Sequence, residues 1–341
     1  MYQIGSRLEV LRHVEPFIAD NLNVLLREPD KSWQPADFTP DLSTDEGFEE
    51  LRALRAEVEA MPDDAMAILV GDMITEEALP TYASWIFPLE GVGVQGEPQT
   101  AWGAWNRGWC AEENRHGDLL NRFLYLTGRV NMKEVELTIH NLINDGGDTQ
   151  TDSDPYKTFV YTSFQEIATR ISHLNVGKIA RNVGAERLYK LSSKIAGDEN
   201  RHARAYKLFI SKFLEVDPSE TVIAFSDMMK RKIVMPAMYM RERGRDVGDT
   251  FKKFEVVAAR TGVYTTRDYI DIIENLVQDW DIEHFSGLTP AATKAQDYLC
   301  GLPDRYRKVL DRFKKPDDVV EDFTFSWLNQ REIKGTCLSL G

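Results

Sequence analysis

The tetrapeptide ENRH occurs twice in this chain, at Glu113 to His116 and at Glu199 to His202, although only six histidines are present in all. A glutamate and a histidine three residues apart on a helix lie on adjacent turns, so both side chains can reach one point beside it. One such pair is a common surface feature. Two identical clusters, each flanked by apolar residues at helical spacing, point instead to a buried site for cations. Trp109, Glu113, His116, Leu120, Phe123 and Thr127 follow in steps of four and three, and Ile195, Glu199, His202, Tyr206, Phe209 and Phe213 repeat the pattern.

Carboxylate-bridged di-iron bundles take one Glu from each of two helices and a Glu-x-x-His pair from each of two others. The chain offers these in order: Glu76 in MITEEALP, with Glu77 beside it as an alternative that periodicity leaves open, then Glu113 with His116, Glu166 in YTSFQEIATR, and Glu199 with His202. Four buried carboxylates cost several kcal/mol each unless cations compensate them, and two ferrous ions carry the matching positive charge. A nitrogen and oxygen donor set suits iron or manganese. The three cysteines, Cys110, Cys300 and Cys337, are too widely spaced for a thiolate zinc site or a disulfide framework. The competing reading is a set of buried salt bridges using Arg115, Arg170 and Arg201. Asp198 and Glu112 are candidates to orient the histidines from behind. Thr169, one turn after Glu166, is placed to present a hydroxyl.

Long helices must hold these residues. No proline falls between Pro98 and Pro155 or between Pro155 and Pro218, and the turn signals inside those gaps are NDGGDTQTDSDP (144–155) and NVGAE (182–186). Three long helical stretches result, the second opened by Pro155, whose missing N–H is harmless at a helix start. A fourth, over 63–87, carries Glu76 and is expected to kink at Pro80. The proline-rich segment 29–45 reads as a loop, the region after Pro218 as further helices, and DFTFSWLNQREIK as a short hairpin. The expected fold class is therefore all-α, a single domain over 1–341, with an N-terminal extension and loop (1–45), a four-helix metal core (63–215), and additional helices and a tail (218–341).

Composition excludes other classes. A net charge of −14 disfavours nucleic acid, whose phosphates demand surplus Lys and Arg. No apolar run reaches the roughly 18 residues of a membrane span, and the N-terminus lacks the pattern of a secretory signal, so a cytoplasmic protein is expected. GVGVQG at 91–96 matches the dinucleotide fingerprint only in letters, since Pro88 and Pro98 place it in a loop between helices.

With GDMITEEALPTY, AEENRHGDLLNRFLYLTGRV, FVYTSFQEIATRISH, DENRHARAY and AFSDMMKRKIVMPA in order, the chain closely resembles the soluble acyl-acyl-carrier-protein desaturases, best known from the plant stearoyl enzymes. WQPADF near the start and FSWLNQREIK near the end extend the likeness over nearly the whole chain. The resemblance implies a ferritin-like bundle, usually a homodimer, with a di-iron centre (two Fe2+) beside an acyl tunnel. It selects Glu76 over Glu77, makes Glu113 and Glu199 bridging and Glu76 and Glu166 terminal ligands, and gives His116 and His202 one iron each. It also implies that Trp33 and Asp198 carry electrons inward. The implied reaction uses O2 and two electrons to place a cis double bond in a fatty acyl chain on acyl carrier protein, in fatty acid biosynthesis, with reduced ferredoxin as donor.

Both protein partners are acidic, so a local basic patch is needed. Lys230, Arg231, Lys232, Arg241, Arg243 and Arg245 form one candidate docking surface, and RYRKVLDRFKK at 305–315 a second. Trp85, Phe87 and Thr158 depart from the plant pattern and bear on tunnel length. Two alternatives share the ligand order: a ribonucleotide-reductase-like radical subunit, for which Tyr206 is the candidate tyrosine, and a ferritin-like iron store.

Overall fold

The computed structural model describes residues 6–93, 100–312, 322–329 and 331–333. Among them nearly all regular structure is helical. Four helices form the centre: α3 (Asp63–Glu77), α5 (Ala101–Thr127), α7 (Pro155–Asn182) and α8 (Glu186–Val216). Around them lie α1 (Arg7–Leu25), α2 (Asp45–Glu59), α4 (Leu79–Ile86), α6 (Met132–Asp145) and α9 (Pro218–Arg231). The remaining helices are α10 (Asp249–Thr261), α11 (Thr266–Asp279), α12 (Pro290–Cys300) and α13 (Leu302–Arg312). The expected hairpin is present as β1 (Phe323–Thr324) and β2 (Glu332–Ile333), antiparallel, with Phe323 opposite Ile333. Gln330 and Lys334 of that motif, residues 94–96 of GVGVQG, residues 313–315 of the second basic run and Cys337 lie outside the described residues.

Local chemistry sets the ends of the central helices. Thr100 caps α5 by accepting from the Gly103 amide at 3.0 Å, and Gly128 ends it in the left-handed conformation. Asp154 caps α7 by accepting from the Tyr156 amide at 2.8 Å, with Pro155 in the first helical position as the sequence predicts. The first long stretch divides at Gly128 into α5 and α6, a break the absence of proline conceals. Pro80 does more than kink its helix: α3 ends at Glu77, and Pro80 sits in the first turn of α4. The Thr75 carbonyl accepts both the Ala78 amide at 3.2 Å and the Tyr82 hydroxyl at 2.6 Å. In the N-terminal extension, 7–25 is helical despite Pro16, which forms part of the exposed face of α1 while Val10, Leu11, Val14 and Ile18 pack inward.

α7 and α8 form an antiparallel pair, α3 packs on α5 and α7, and α5 on α8. Their facing stripes bury Trp102, Trp105, Phe159, Tyr206, Phe209 and Phe213 almost completely. Ring centroids 5.1–5.7 Å apart join Trp105, Tyr206, Phe159 and Phe209. Each of these side chains contributes on the order of 1.5–3 kcal/mol through area removed from water. This aromatic plug closes one end of the bundle above the polar cluster.

α3 and α5 cross closely because Gly117 lacks a side chain: a Cβ there would stand 3.2 Å from the backbone carbon of Glu76. Gly117→Val should therefore push α3 outward and destabilise the protein by about 1–3 kcal/mol. Urea unfolding of the metal-free protein measures the loss, and wild-type stability in this variant would contradict the close crossing.

Candidate metal centre

Each central helix contributes at mid-bundle: α3 brings Glu76, α5 Glu113 and His116, α7 Glu166, and α8 Glu199 and His202. All six are at least nine-tenths buried. Ligand atoms of Glu76, Glu113, His116 and Glu199 lie within 4.8 Å of one another, as do those of Glu113, Glu166, Glu199 and His202. The two sets share Glu113 and Glu199. Cations held by both sets would share those two carboxylates.

The histidines are arranged alike. His116 turns Nδ1 inward, 3.0 Å from Glu199 Oε1 and 3.4 Å from Glu113 Oε2, while Nε2 faces Asp198 Oδ2 at 3.5 Å. His202 turns Nδ1 inward, 2.6 Å from Glu113 Oε1 and 3.6 Å from Glu166 Oε2, with Nε2 against Glu112 Oε2 at 2.8 Å. An outer carboxylate thus holds each ring and fixes which nitrogen faces the cluster. Arg201 bridges Asp198 and Glu112, and Arg115 reaches Asp198 at 3.4 Å. Arg115 and Arg201 serve this outer layer, so the salt-bridge reading accounts for Asp198 and Glu112 and leaves the inner six unexplained.

The electrostatics describe a site that wants cations. Burial works against ionised imidazole at His116 and His202, yet Glu113 and the other carboxylates raise both well above the ordinary value. Burial also pushes Glu166 well up, reinforced by Glu113 and Glu199. Glu113 moves the opposite way, because the two histidines outweigh its desolvation. Among the described residues Glu113 Oε1, Glu199 Oε1, both nitrogens of His116 and Nδ1 of His202 have no properly oriented hydrogen-bond partner although these atoms are buried. Such orphaned atoms are costly in a native interior unless an ion takes them as ligands. These residues fit two metal ions of the kind that accept nitrogen and oxygen donors. The nearby Cys110 thiol is pushed up to about 12 by burial, which removes it as a thiolate donor.

The remaining sequence-selected residues fall around this cluster. Trp33 donates from Nε1 to Asp198 Oδ2 at 2.8 Å and stacks parallel to His116 with centroids 6.0 Å apart. Thr169 donates to Glu199 Oε2 at 3.0 Å. A cavity of 870 Å³ runs from Glu76, Glu113, Glu199 and Thr169 to a rim at Arg231 and Lys232, walled by Phe251, Phe254, Tyr264 and Met235. Trp85, Phe87 and Thr158 are not among its lining residues. Trp85 packs against Tyr82, which does line it, and the Thr158 hydroxyl bonds the Asp154 carbonyl. Several members of the basic run are taken up in ion pairs. Arg231 pairs with Asp152, Arg241 with Asp145, Arg243 with Glu134, and Lys230 lies 3.7 Å from Asp227. Arg243 and Arg245 border a separate polar cavity beside Glu242.

One residue escaped the sequence reading. His173, 1% exposed, places Nε2 2.9 Å from Glu76 Oε1. Its only sequence signal is its position seven residues after Glu166, two turns along the same face of α7. Trp109 is its counterpart, donating to Glu166 Oε1 at 3.0 Å.

A helical bundle with paired Glu and His clusters at its centre is the architecture of ferritin-like carboxylate proteins that bind two metals. Residues 6–329 match the profile described as fatty acid desaturase, and the chain belongs to that family. It is 46% identical over 331 residues to stearoyl-[acyl-carrier-protein] 9-desaturase 1, chloroplastic, of Arabidopsis thaliana, covering 96% of this chain and 84% of that one. It is 48% identical over 333 residues to palmitoyl-[acyl-carrier-protein] 4-desaturase 3, chloroplastic, of Ophrys sphegodes, with 96% and 82% covered. A solved structure described as the acyl-ACP desaturase DesA2 of Mycobacterium tuberculosis H37Rv superposes with a TM-score of 0.51 at 18% identity, covering 84% of this chain and 98% of that one. That likeness is one of fold. No helix among the described residues is long and apolar enough to cross a membrane.

Replacing His202 or Glu113 by Ala removes a donor from one or both cation positions. Either variant should bind fewer than two ferrous ions per chain while keeping its far-UV circular dichroism, and full loading in both would rule out the assigned ligand set.

Proposed function

We propose that this chain is an acyl-acyl-carrier-protein desaturase whose two ferrous ions are held by Glu76, Glu113, His116, Glu166, Glu199 and His202. The observation that carries the reading is the opening of the 870 Å³ cavity onto the two overlapping donor sets. When bound, the iron pair would supply the oxidising chemistry by which O2, two electrons and two protons take two hydrogens from an unactivated chain and leave two waters; ordinary acid–base residues cannot attack such bonds.

The protein's part is ligation, positioning and exclusion of water. Apolar walls at Ile68, Ala168, Phe254 and Ala258 hold a hydrocarbon chain against the cluster. Asp198 and Glu112 keep both imidazoles directed inward, and the Thr169 hydroxyl holds one oxygen of Glu199. Trp33, hydrogen-bonded to Asp198 and stacked on His116, supports an inward electron path from a donor such as reduced ferredoxin. Arg231 and Lys232 stand at the cavity rim, where the acidic carrier protein would present its chain. A homodimer and a single functional unit over the matched residues 6–329 complete the reading and rest on the family likeness.

Relatives named as 9- and 4-desaturases match at 46% and 48% identity, so likeness alone does not choose the bond position. Neither alternative gains support from the relatives. Among the described residues, moreover, the Tyr206 hydroxyl has no hydrogen-bond partner to receive a proton on oxidation, as a stored tyrosyl radical would require.

Incubating the iron-loaded protein with acyl carriers of graded chain length, ferredoxin, a reductant and air should yield one new cis double bond at a fixed position. Full iron loading with no unsaturated product from any length would refute the proposal. Arg231→Glu with Lys232→Glu should raise KM for the carrier-bound substrate by on the order of tenfold, with a weaker salt dependence and little change in kcat.

A further inference from the structure

Each terminal carboxylate of the cluster is gripped from behind. Glu166 has Oε2 toward His202 and Oε1 accepting from the Trp109 indole; Glu76 has Oε2 toward His116, at 3.8 Å, and Oε1 against His173. The Trp109 nitrogen can only donate. An ionised carboxylate has no proton to give, so Nε2 of His173 must also be the donor. His173 Nδ1 has no hydrogen-bond partner, so Glu76 is the ring's sole polar attachment among the described residues.

The backbone leaves Glu76 needing such a grip. It stands in the last turn of α3, one residue before that helix ends, whereas the other five residues lie well inside long helices. Pro80 cannot donate an amide proton to the Glu76 carbonyl, so that turn lacks one of its ordinary ties. Two consecutive residues of α7 supply side-chain ties instead. The Ser172 hydroxyl reaches Asp72 at 2.9 Å, and His173 reaches Glu76 one turn further along α3.

Building on the di-metal reading above, we propose that His173 is a positioning residue: it anchors the Glu76 carboxylate so that its other oxygen meets the cation position shared with His116. The second position, built on Glu166 and His202, has its own anchor in Trp109. The two metal positions therefore depend on different outer residues and can be weakened one at a time.

The test is an anaerobic titration of the full-length protein with Co2+ and with Fe2+, reading stoichiometry and the cobalt visible bands. In His173→Met one ion per chain should bind as in wild type and the other on the order of 10- to 100-fold more weakly. His173→Gln keeps a donor of similar reach and should restore the second ion to within a few-fold. Trp109→Phe should weaken one ion while leaving cobalt bands different from those of His173→Met. If His173→Met is poorly folded by circular dichroism, His173→Gln set against His173→Leu carries the same comparison. Wild-type affinity for both ions in the Met or Leu variant overturns the proposal; so does failure of Gln to outperform them. Failure of the wild-type chain itself to take two ions would instead remove the metal centre on which the proposal rests.

Discussion

Mutual repulsion among carboxylates is the constraint around which this protein is built. Glu76, Glu113, Glu166 and Glu199 are brought together where water cannot screen them. The fold meets this in layers. Two imidazoles stand among the carboxylates, and around them Asp198, Glu112, Trp109, His173 and Thr169 each hold one inner side chain. Arg115 and Arg201 neutralise the carboxylates of that second layer, and the backbone amide of Arg27 donates to Glu112 at 2.8 Å. Glu113 Oε1, Glu199 Oε1 and the inward Nδ1 atoms of both histidines are left for two cations to fill.

The surrounding helices divide the remaining work. The aromatic groups of α5, α7 and α8 seal one end of the bundle. On the other side α10, α11, α13 and the segment after α9 stand off far enough to leave a long cavity. Close packing and open space thus both border the same cluster. The chemistry of oxidising a hydrocarbon needs that combination: rigid ligands on one side, room for a chain on the other, and little water in either.

Much of this was legible in the sequence because helical periodicity ties residue spacing to direction. ENRH at two sites showed which Glu–His pairs would face inward, periodicity left Glu76 and Glu77 open until the resemblance chose between them, and Pro155 announced the start of α7. Other features depend on tertiary contacts that no local pattern carries. His173 reads as an ordinary residue of an amphipathic helix until α3 is laid beside it. The basic run from Lys230 to Arg245 reads as one surface, yet its members turn to Asp152, Asp145 and Glu134, acids remote in sequence whose positions only folding reveals. The division of α5 from α6 rests on a left-handed glycine rather than a proline, and single glycines are weak punctuation.

The contacts that complete the centre also span much of the chain. Trp33 meets a carboxylate 165 residues away, and His173 one that is 97 residues away. During synthesis from the N-terminus, α3 and α5 emerge long before α8 exists, so their acidic faces must wait in water for partners. Loop closure costs grow only slowly with length, so the delay reflects the order of synthesis more than thermodynamic expense. Both donor sets include Glu199 of α8, so neither can be complete until that helix has left the ribosome.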